Sequence, residues 1–528
     1  MDRVLSFFSK LDWSWLDRYP VLREKLITLS NLDLQQSTTI FVLGHHYTAT
    51  NGAWIFGCIW SVIAVALVNY AILKWFSPSP DEPKTIRNMT LLQFIRRAIQ
   101  REDGPEFLLQ LCRIMGDYTF RMPNNGGVQA FVVADPGPAR RILLNKASIK
   151  TPIFYDFYDR LAQGETFVAH NGNRASHALH AATKSFSSDN LLTITRKVEI
   201  VLEKWVRERL EPIYVNMGKP LDLDQELTQV TTEILCYVAF GYQLQRHEKA
   251  VLITRLNKAR HELLDNTNIF RASAWTNWMF SSTRSAKIAG DNLLDFCRGV
   301  LNAHKKKHKD PRKAPLLIDL ILQDKIYKDD EERARDMLMY LYTGYDSSAH
   351  TICWAIFELA KNAEEQKFLR ARLKQDSGEN GHAKYSPALK NVLRETLRLY
   401  SPNSLGSIRT PMVDIPMRDK TKKIPAGSIC VIPYYVLLRN DRIFPYPDSF
   451  VPSRWEHATP EQVASFLPFG AGRRHCPGTL LANVEMTSIL KRLVSQYQFS
   501  ILRTGERDFS LTLRPVGMKL GVRRATPS

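Results

Sequence analysis

The sequence predicts a mainly α chain with a minor β region, built as one large domain behind an N-terminal transmembrane helix. Three observations carry this reading. Apolar residues recur at helical spacing over 193–210, 223–242, 250–266, 285–305, 315–323, 331–361, 365–375 and 387–400. Strand-like pieces are confined to 128–135 (VQAFVVAD) and 405–432, the latter holding an IPAGS turn at 424–428 between apolar runs. Residues 53–73 (AWIFGCIWSVIAVALVNYAIL) run without a single charge.

In chain order, residues 1–52 form an N-terminal extension. Val4, Phe7, Phe8, Leu11 and Trp15 fall on one helical face, which suits a helix lying in a membrane interface or one packed on another protein segment. The uncharged run 53–73 would span about 31 Å at ~1.5 Å per residue, against about 30 Å of hydrocarbon. A buried helix of a soluble core is the competing reading. Trp54 and Trp60 at one end, Trp75 at the other and Lys74 directly after the run favour the membrane. No Lys or Arg occurs in 33–52, whereas Lys74, Lys84 and Arg87 follow the span, with Arg96, Arg97 and Arg101 close behind. The positive-inside rule then puts the C-terminal body in the cytosol. Residues 74–83, with SPSPDEP at 77–83, read as a stiff linker, and 84–528 as the catalytic domain. Within it, Pro136–Leu144 reads as a helix after the DPGP turn.

The 528 residues are 44% hydrophobic, which excludes wholesale disorder. Seven scattered cysteines without a CxxC pair argue against a disulfide framework or zinc module and for a reducing compartment. A net charge of +19 fits nucleic acid, an anionic membrane surface or an acidic partner.

The chemistry concentrates near the C-terminus. In FLPFGAGRRHCPGTLLA, Phe469, Gly472, Arg474, Cys476 and Gly478 stand at fixed spacing, with Ala482 six after the cysteine. A thiol on a loop just before a helix start is favoured as thiolate by backbone N–H groups and the helix dipole. The glycines allow tight backbone and close approach of a flat ring. This pattern resembles the haem-binding signature of the cytochrome P450 monooxygenases. The resemblance implies the cytochrome P450 fold, haem b as cofactor, Cys476 as axial ligand to its iron, Arg474 as a propionate partner and Phe469 covering the sulfur side of the ring.

Three further stretches extend the resemblance. Thr343-Gly344-Tyr345-Asp346-Ser347-Ser348 is similar to the family's oxygen-activation motif, with Thr at 343 and Ser at 347 as departures. It implies a local helix opening at Gly344, with Asp346 and Ser347 relaying protons. Glu395 and Arg398 in NVLRETLRLY, with Arg454 in FVPSRW, resemble the family's buried charged triad, a structural feature; Glu332 and Arg335 share the Glu-x-x-Arg spacing without that context. Arg409 corresponds to a second propionate partner. If Phe186-Ser187 anchors the match, Ala175 and Leu179 occupy the positions of the family's usual Trp and Arg, and His177 or His180 would substitute.

The function implied is insertion of one oxygen atom from O2 into an apolar small molecule. No GxGxxG joins a strand to a helix and no flavin domain is fused. Electrons would therefore come from an acidic partner, NADPH–cytochrome P450 reductase, with cytochrome b5 as a second donor. The resemblance places such an enzyme in the endoplasmic reticulum membrane as a single-pass protein in contact with lipid. Within the fold, a haem-thiolate isomerase or dehydratase competes, but such relatives often lose the acid–alcohol pair kept here as Asp346 and Ser347. From other classes, a membrane-tethered haem sensor or electron carrier competes, and a nucleic-acid binder is disfavoured for want of a module. Phe154, Tyr155, Phe157 and Tyr158, and Trp275, Trp278, Met279 and Phe280, suggest an apolar substrate arriving from lipid; fatty acid, terpenoid, sterol and polyketide stay open.

Overall fold

A computed structural model describes residues 37–42, 45–50, 86, 89–100, 102–123, 129–151, 155–264, 281–307, 314–378, 386–418 and 421–526. The chain divides into two compact units, Met1–Ser77 and Pro78–Ser528. In the first, Ser37–Val42 pairs antiparallel with His45–Thr50, a hairpin the sequence reading did not anticipate. The expected span at 53–73, the amphipathic face at 4–15, the linker and the aromatic cluster at 275–280 lie outside the described residues. Among the described residues, no helix is long and apolar enough to cross a membrane.

The second unit is mostly helical, with its β structure in small sheets. Five strands form the main sheet: β1 (Thr119–Arg121), β2 (Ala130–Val133), β3 (Ser148–Lys150), β4 (Ser407–Pro411) and β5 (Ile429–Ile432). Their order is β1-β2-β5-β4-β3, with β2 and β5 parallel and the other pairs antiparallel. Val132 pairs with Val431, and Arg409 stands between Cys430 on one side and Lys150 on the other.

Six helices position the site: α1 (Asn173–Ser185), α2 (Leu223–Phe240), α3 (Asp330–Gly344), α4 (Ser347–Lys361), α5 (Pro387–Leu399) and α6 (Thr479–Gln496). Most of the predicted helical stretches appear within a few residues of their expected bounds, and Pro136–Leu144 is a helix capped by Asp135. The stretch 193–210 extends further: a helix over Leu191–Trp205 continues as a wider-turned helix through Asn216, which accommodates Pro212. The single stretch 331–361 is two helices. Gly344 ends α3, where a Cβ would lie 3.1 Å from the Leu235 side chain. Thr231 on α2 donates its hydroxyl to the Tyr345 carbonyl that the interruption leaves free. α2 through α6 bury their apolar faces in one large core, whose residues include Leu235, Leu341, Ile352, Leu393 and Ile489.

Candidate active site

A cavity of about 330 Å³ lies among α1, α3, α4, α6 and the sheet, and Cys476 lines it. The cysteine's loop is shaped by glycine. Gly472 has φ +72°, and a Cβ there would fall 2.2 Å from the Leu143 carbonyl oxygen; only glycine fits. At Gly478 the nearest atom to a built Cβ is Cys476 Sγ at 3.9 Å, so this glycine leaves room on the sulfur side rather than relieving a local clash. The Cys476 N–H donates to the Phe469 carbonyl (2.9 Å), and the Thr479 hydroxyl to the Cys476 carbonyl (2.7 Å).

Burial pushes the Cys476 thiol up; the Gly478 N–H and the Thr479 side chain pull the other way without overcoming it.

The same cavity is lined by three cations. Lys150 and Arg409 are direct cross-strand neighbours on β3 and β4, and Arg474 joins them at the cavity. Like charges facing each other across strands are destabilising. Among the described residues none of the three has a carboxylate partner. The Lys150 ammonium donates to the Val168 carbonyl (2.7 Å) and stands 4.3 Å from the centre of the Tyr155 ring. Arg409 reaches the Ile408 carbonyl (3.0 Å), and Arg474 donates to the carbonyls of Phe167 and His170 (both 2.9 Å). Burial, then Arg474 and Arg409, pull the Lys150 pKa well below the usual lysine value. Burial and Arg409 pull Arg474 down to about 10. A cavity lined by a thiol and by three cations without carboxylate partners among the described residues fits a ligand that is part metal and part dianion, as haem with its two propionates is.

The positions on α1 resolve otherwise than a substitution by histidine. Leu179 lines the cavity, Ala175 is buried, and His177 and His180 are exposed. His177 Nδ1 instead sits 2.9 Å from the Asp324 carboxylate. A cation at the cavity comes instead from β3, as Lys150. Sequence reasoning passed over it because SIKTP carries no motif. The strand alternation was a usable signal: Ile149 points outward, so Lys150 points inward, and an inward lysine demands an anion.

Ser347 and Gly344 line the cavity, and Asp346 stands behind its wall, 1% exposed. Asp346 Oδ2 accepts from Arg260 Nη1 (3.1 Å) and from the Thr512 hydroxyl (3.0 Å). A further carboxyl, Glu485 on α6, lines the cavity; burial raises its pKa to about 8, with Ser348 acting in the opposite sense.

On the far side of α5, Glu395 and Arg398 are fully buried. Glu395 accepts from Arg398 Nε and Nη2 (2.9 and 2.8 Å), Arg454 Nε (2.8 Å), the Val451 N–H (3.0 Å) and Trp455 Nε1 (3.0 Å). Trp455 was not foreseen as a donor. By contrast, Glu332 pairs with Arg174 (3.7 Å) rather than with Arg335.

This geometry defines a haem-thiolate protein. The cytochrome P450 family profile matches residues 92–520. The chain is 25% identical to cytochrome P450 71D180 of Thymus vulgaris, over 86% of this chain and 94% of that protein. It is 25% identical to ent-kaurenoic acid oxidase 1 of Arabidopsis thaliana, over 77% of this chain and 82% of that protein. Among solved structures, a cytochrome P450DA heme domain superposes with a TM-score of 0.68 at 16% identity, covering 84% of this chain and 98% of that one. The chain belongs to the cytochrome P450 family. It is a haem-thiolate monooxygenase whose cofactor is haem b.

Proposed function

We propose that this enzyme is anchored in the endoplasmic reticulum membrane by residues 53–73, faces the cytosol, and hydroxylates an apolar small molecule with electrons from a separate NADPH-dependent reductase. The observation that supports the haem-thiolate site is one cavity lined by Cys476 together with Lys150, Arg409 and Arg474. Cys476 would hold the iron and the three cations the propionates. Haem so bound activates O2 for insertion into a C–H bond.

The chain's own residues do the rest. Phe167, Leu179, Phe186, Leu235 and Leu511 give the cavity apolar walls that admit an apolar molecule and exclude water. The hydroxyl of Ser347 at the start of α4 is placed to hand on a proton that Asp346 supplies from behind the wall. Support for the anchor is the uncharged run and the basic residues after it.

Support for the partner comes from a groove of about 1390 Å³ between α5, α6 and the helix Leu191–Trp205. It is lined by seven cations (Arg196, Lys204, Arg207, Lys390, Arg394, Lys491 and Arg492) against two carboxylates (Glu199 and Glu203). Phe469 lines both this groove and the haem cavity. An acidic reductase docked there would stand one aromatic ring away from the cofactor, and part of the +19 charge acquires a purpose.

Two measurements test the reading. Reduced, carbon-monoxide-treated membranes should show the red-shifted Soret band of thiolate ligation, and Cys476→Ala should lose it; a variant that keeps the band refutes the assignment. Arg394→Glu with Lys390→Glu should slow reduction by NADPH and reductase about tenfold at low salt, converging with wild type at high salt. A salt-independent rate equal to wild type refutes the docking face.

A further inference from the structure

We infer that Asp224, His350 and Thr512 form the proton inlet of the haem cavity, carrying protons from the protein surface to Asp346. This rests on the monooxygenase reading, in which O2, two electrons, two protons and a C–H compound give an alcohol and water, so two protons must enter per turnover.

The path joins an ion pair at its outer end, where Asp224 Oδ1 makes no aligned hydrogen bond among the described residues, to two hydrogen bonds at its inner end. Asp224 lies in the first turn of α2, with its side chain 18% exposed. It does not line the haem cavity, and its neighbour Asp222 pairs with Lys519 at 2.8 Å among partly exposed side chains. Its Oδ1 stands 2.9 Å from Nε2 of His350, which is 1% exposed. His350 Nδ1 stands 2.9 Å from the Thr512 hydroxyl, and that hydroxyl stands 3.0 Å from Asp346 Oδ2. Thr512 itself lines the haem cavity, whereas His350 and Asp224 do not. The imidazole hydrogen-bonds Thr512 through Nδ1 and faces the Asp224 carboxylate with Nε2, so a small realignment at the outer end completes a relay.

The bonding order is compatible with proton transfer along the path. If Thr512 donates to Asp346, it must accept from His350 Nδ1–H, and Nε2 then meets Asp224 either as imidazolium against carboxylate or as free base against a carboxylic acid. A proton taken up at Asp224 passes to Nε2. The Nδ1 proton passes to the Thr512 oxygen, and the Thr512 proton passes to Asp346 Oδ2. One proton enters and one is delivered; the imidazole is left as its Nε2–H tautomer, and once Asp346 has discharged, reorientation of the imidazole and rotation of the Thr512 hydroxyl back toward Asp346 reset the relay.

Arg260, also buried, donates to Asp346 Oδ2 at 3.1 Å. Asp346 Oδ1 is buried without a partner among the described residues, which leaves it free to discharge. The other ionisable groups acting on this path are Arg514 beside Asp224, Tyr342 and Tyr345 beside Arg260, and buried Cys353, which feels Asp222 and Asp224.

The test uses the full-length holoenzyme in membranes with reductase. His350→Gln and Thr512→Val both remove the relay while approximating the shape. Each should slow NADPH-driven product formation about tenfold or more, raise hydrogen peroxide release per NADPH, flatten the pH profile and enlarge the solvent deuterium isotope effect. Haem affinity in a hemin titration should stay within twofold. For His350→Gln, which does not touch the cavity, turnover driven by added hydrogen peroxide, which brings oxygen, electrons and protons together, should also stay within twofold. Equal loss for His350→Gln in the NADPH and peroxide assays, or an unchanged pH profile and isotope effect in both variants, overturns the inlet. A wild-type protein without the carbon-monoxide band overturns the monooxygenase reading instead, so the two failures are distinguishable.

Discussion

Replacing Lys150 by methionine keeps the length and removes the charge, and the structure predicts opposite effects with and without cofactor. In the holoenzyme the ammonium would lose a charge-assisted bond to a propionate, worth about 1.5–3 kcal/mol. Against this, removing one of two cations facing each other across β3 and β4 recovers about 0.2–1 kcal/mol. The holoenzyme should therefore lose about 1–2 kcal/mol net; the relief is shared by the apoprotein and cancels from binding, so haem should bind more weakly by the full ~1.5–3 kcal/mol, a factor of about 10–150. Without haem only the relief remains, so the apoprotein should be stabilised by up to about 1 kcal/mol. Its pH dependence should change as well. The folded-state pKa of Lys150 is lowered, so the unfolded chain binds the extra proton between that value and about 10.4, and wild-type apoprotein gains stability as pH rises through that window. The variant should lose that gain. The assay is hemin titration followed at the Soret band, beside denaturant midpoints of both forms, with exposed Lys146→Met as control. Unchanged haem affinity, or an apoprotein destabilised by the substitution, would refute the cation-cradle argument.

Two further outcomes follow from buried carboxylates. Glu395→Ala leaves Arg398 buried without its anion and should cost about 3–5 kcal/mol, while Trp455→Phe removes one donor of five and should cost about 1.5–3 kcal/mol; urea midpoints on the apoprotein should show this order. Glu485 has a folded pKa near 8 against an ordinary value of 4.5. Its contribution to stability is therefore fully present below about pH 4.5 and lost as pH rises through about 8, and Glu485→Gln should flatten the thermal midpoint across that range.

What was legible in the sequence follows from how far each feature depends on distant chain. Helices 223–242, 285–305 and 387–400 were readable because their apolar stripes are local. So was the loop around Cys476, whose glycine spacing is fixed by its own turn and by one close approach to Leu143. The hairpins over 497–524 escaped notice, since YQFSILR alternates too weakly to announce a strand. The helices over 91–115 lay beyond the stretches read as periodic. Lys150, Thr512 and Trp455 became site residues only through strand register or a long-range hydrogen bond. His350 looked like an ordinary helix residue until α2 brought Asp224 against it. The membrane span remains a sequence expectation, because 53–73 lie outside the described residues.

The pairing of Val132 with Val431 also has a consequence in time. A ribosome adds ~5–20 residues per second, so β2 is synthesised about 15–60 s before the strand it pairs with in parallel. During that interval β2 can form its antiparallel edge with β1 but presents an unpaired opposite edge, the kind of template on which chains mispair. A chain cut short just before residue 429 would thus be damaged first in its opening third.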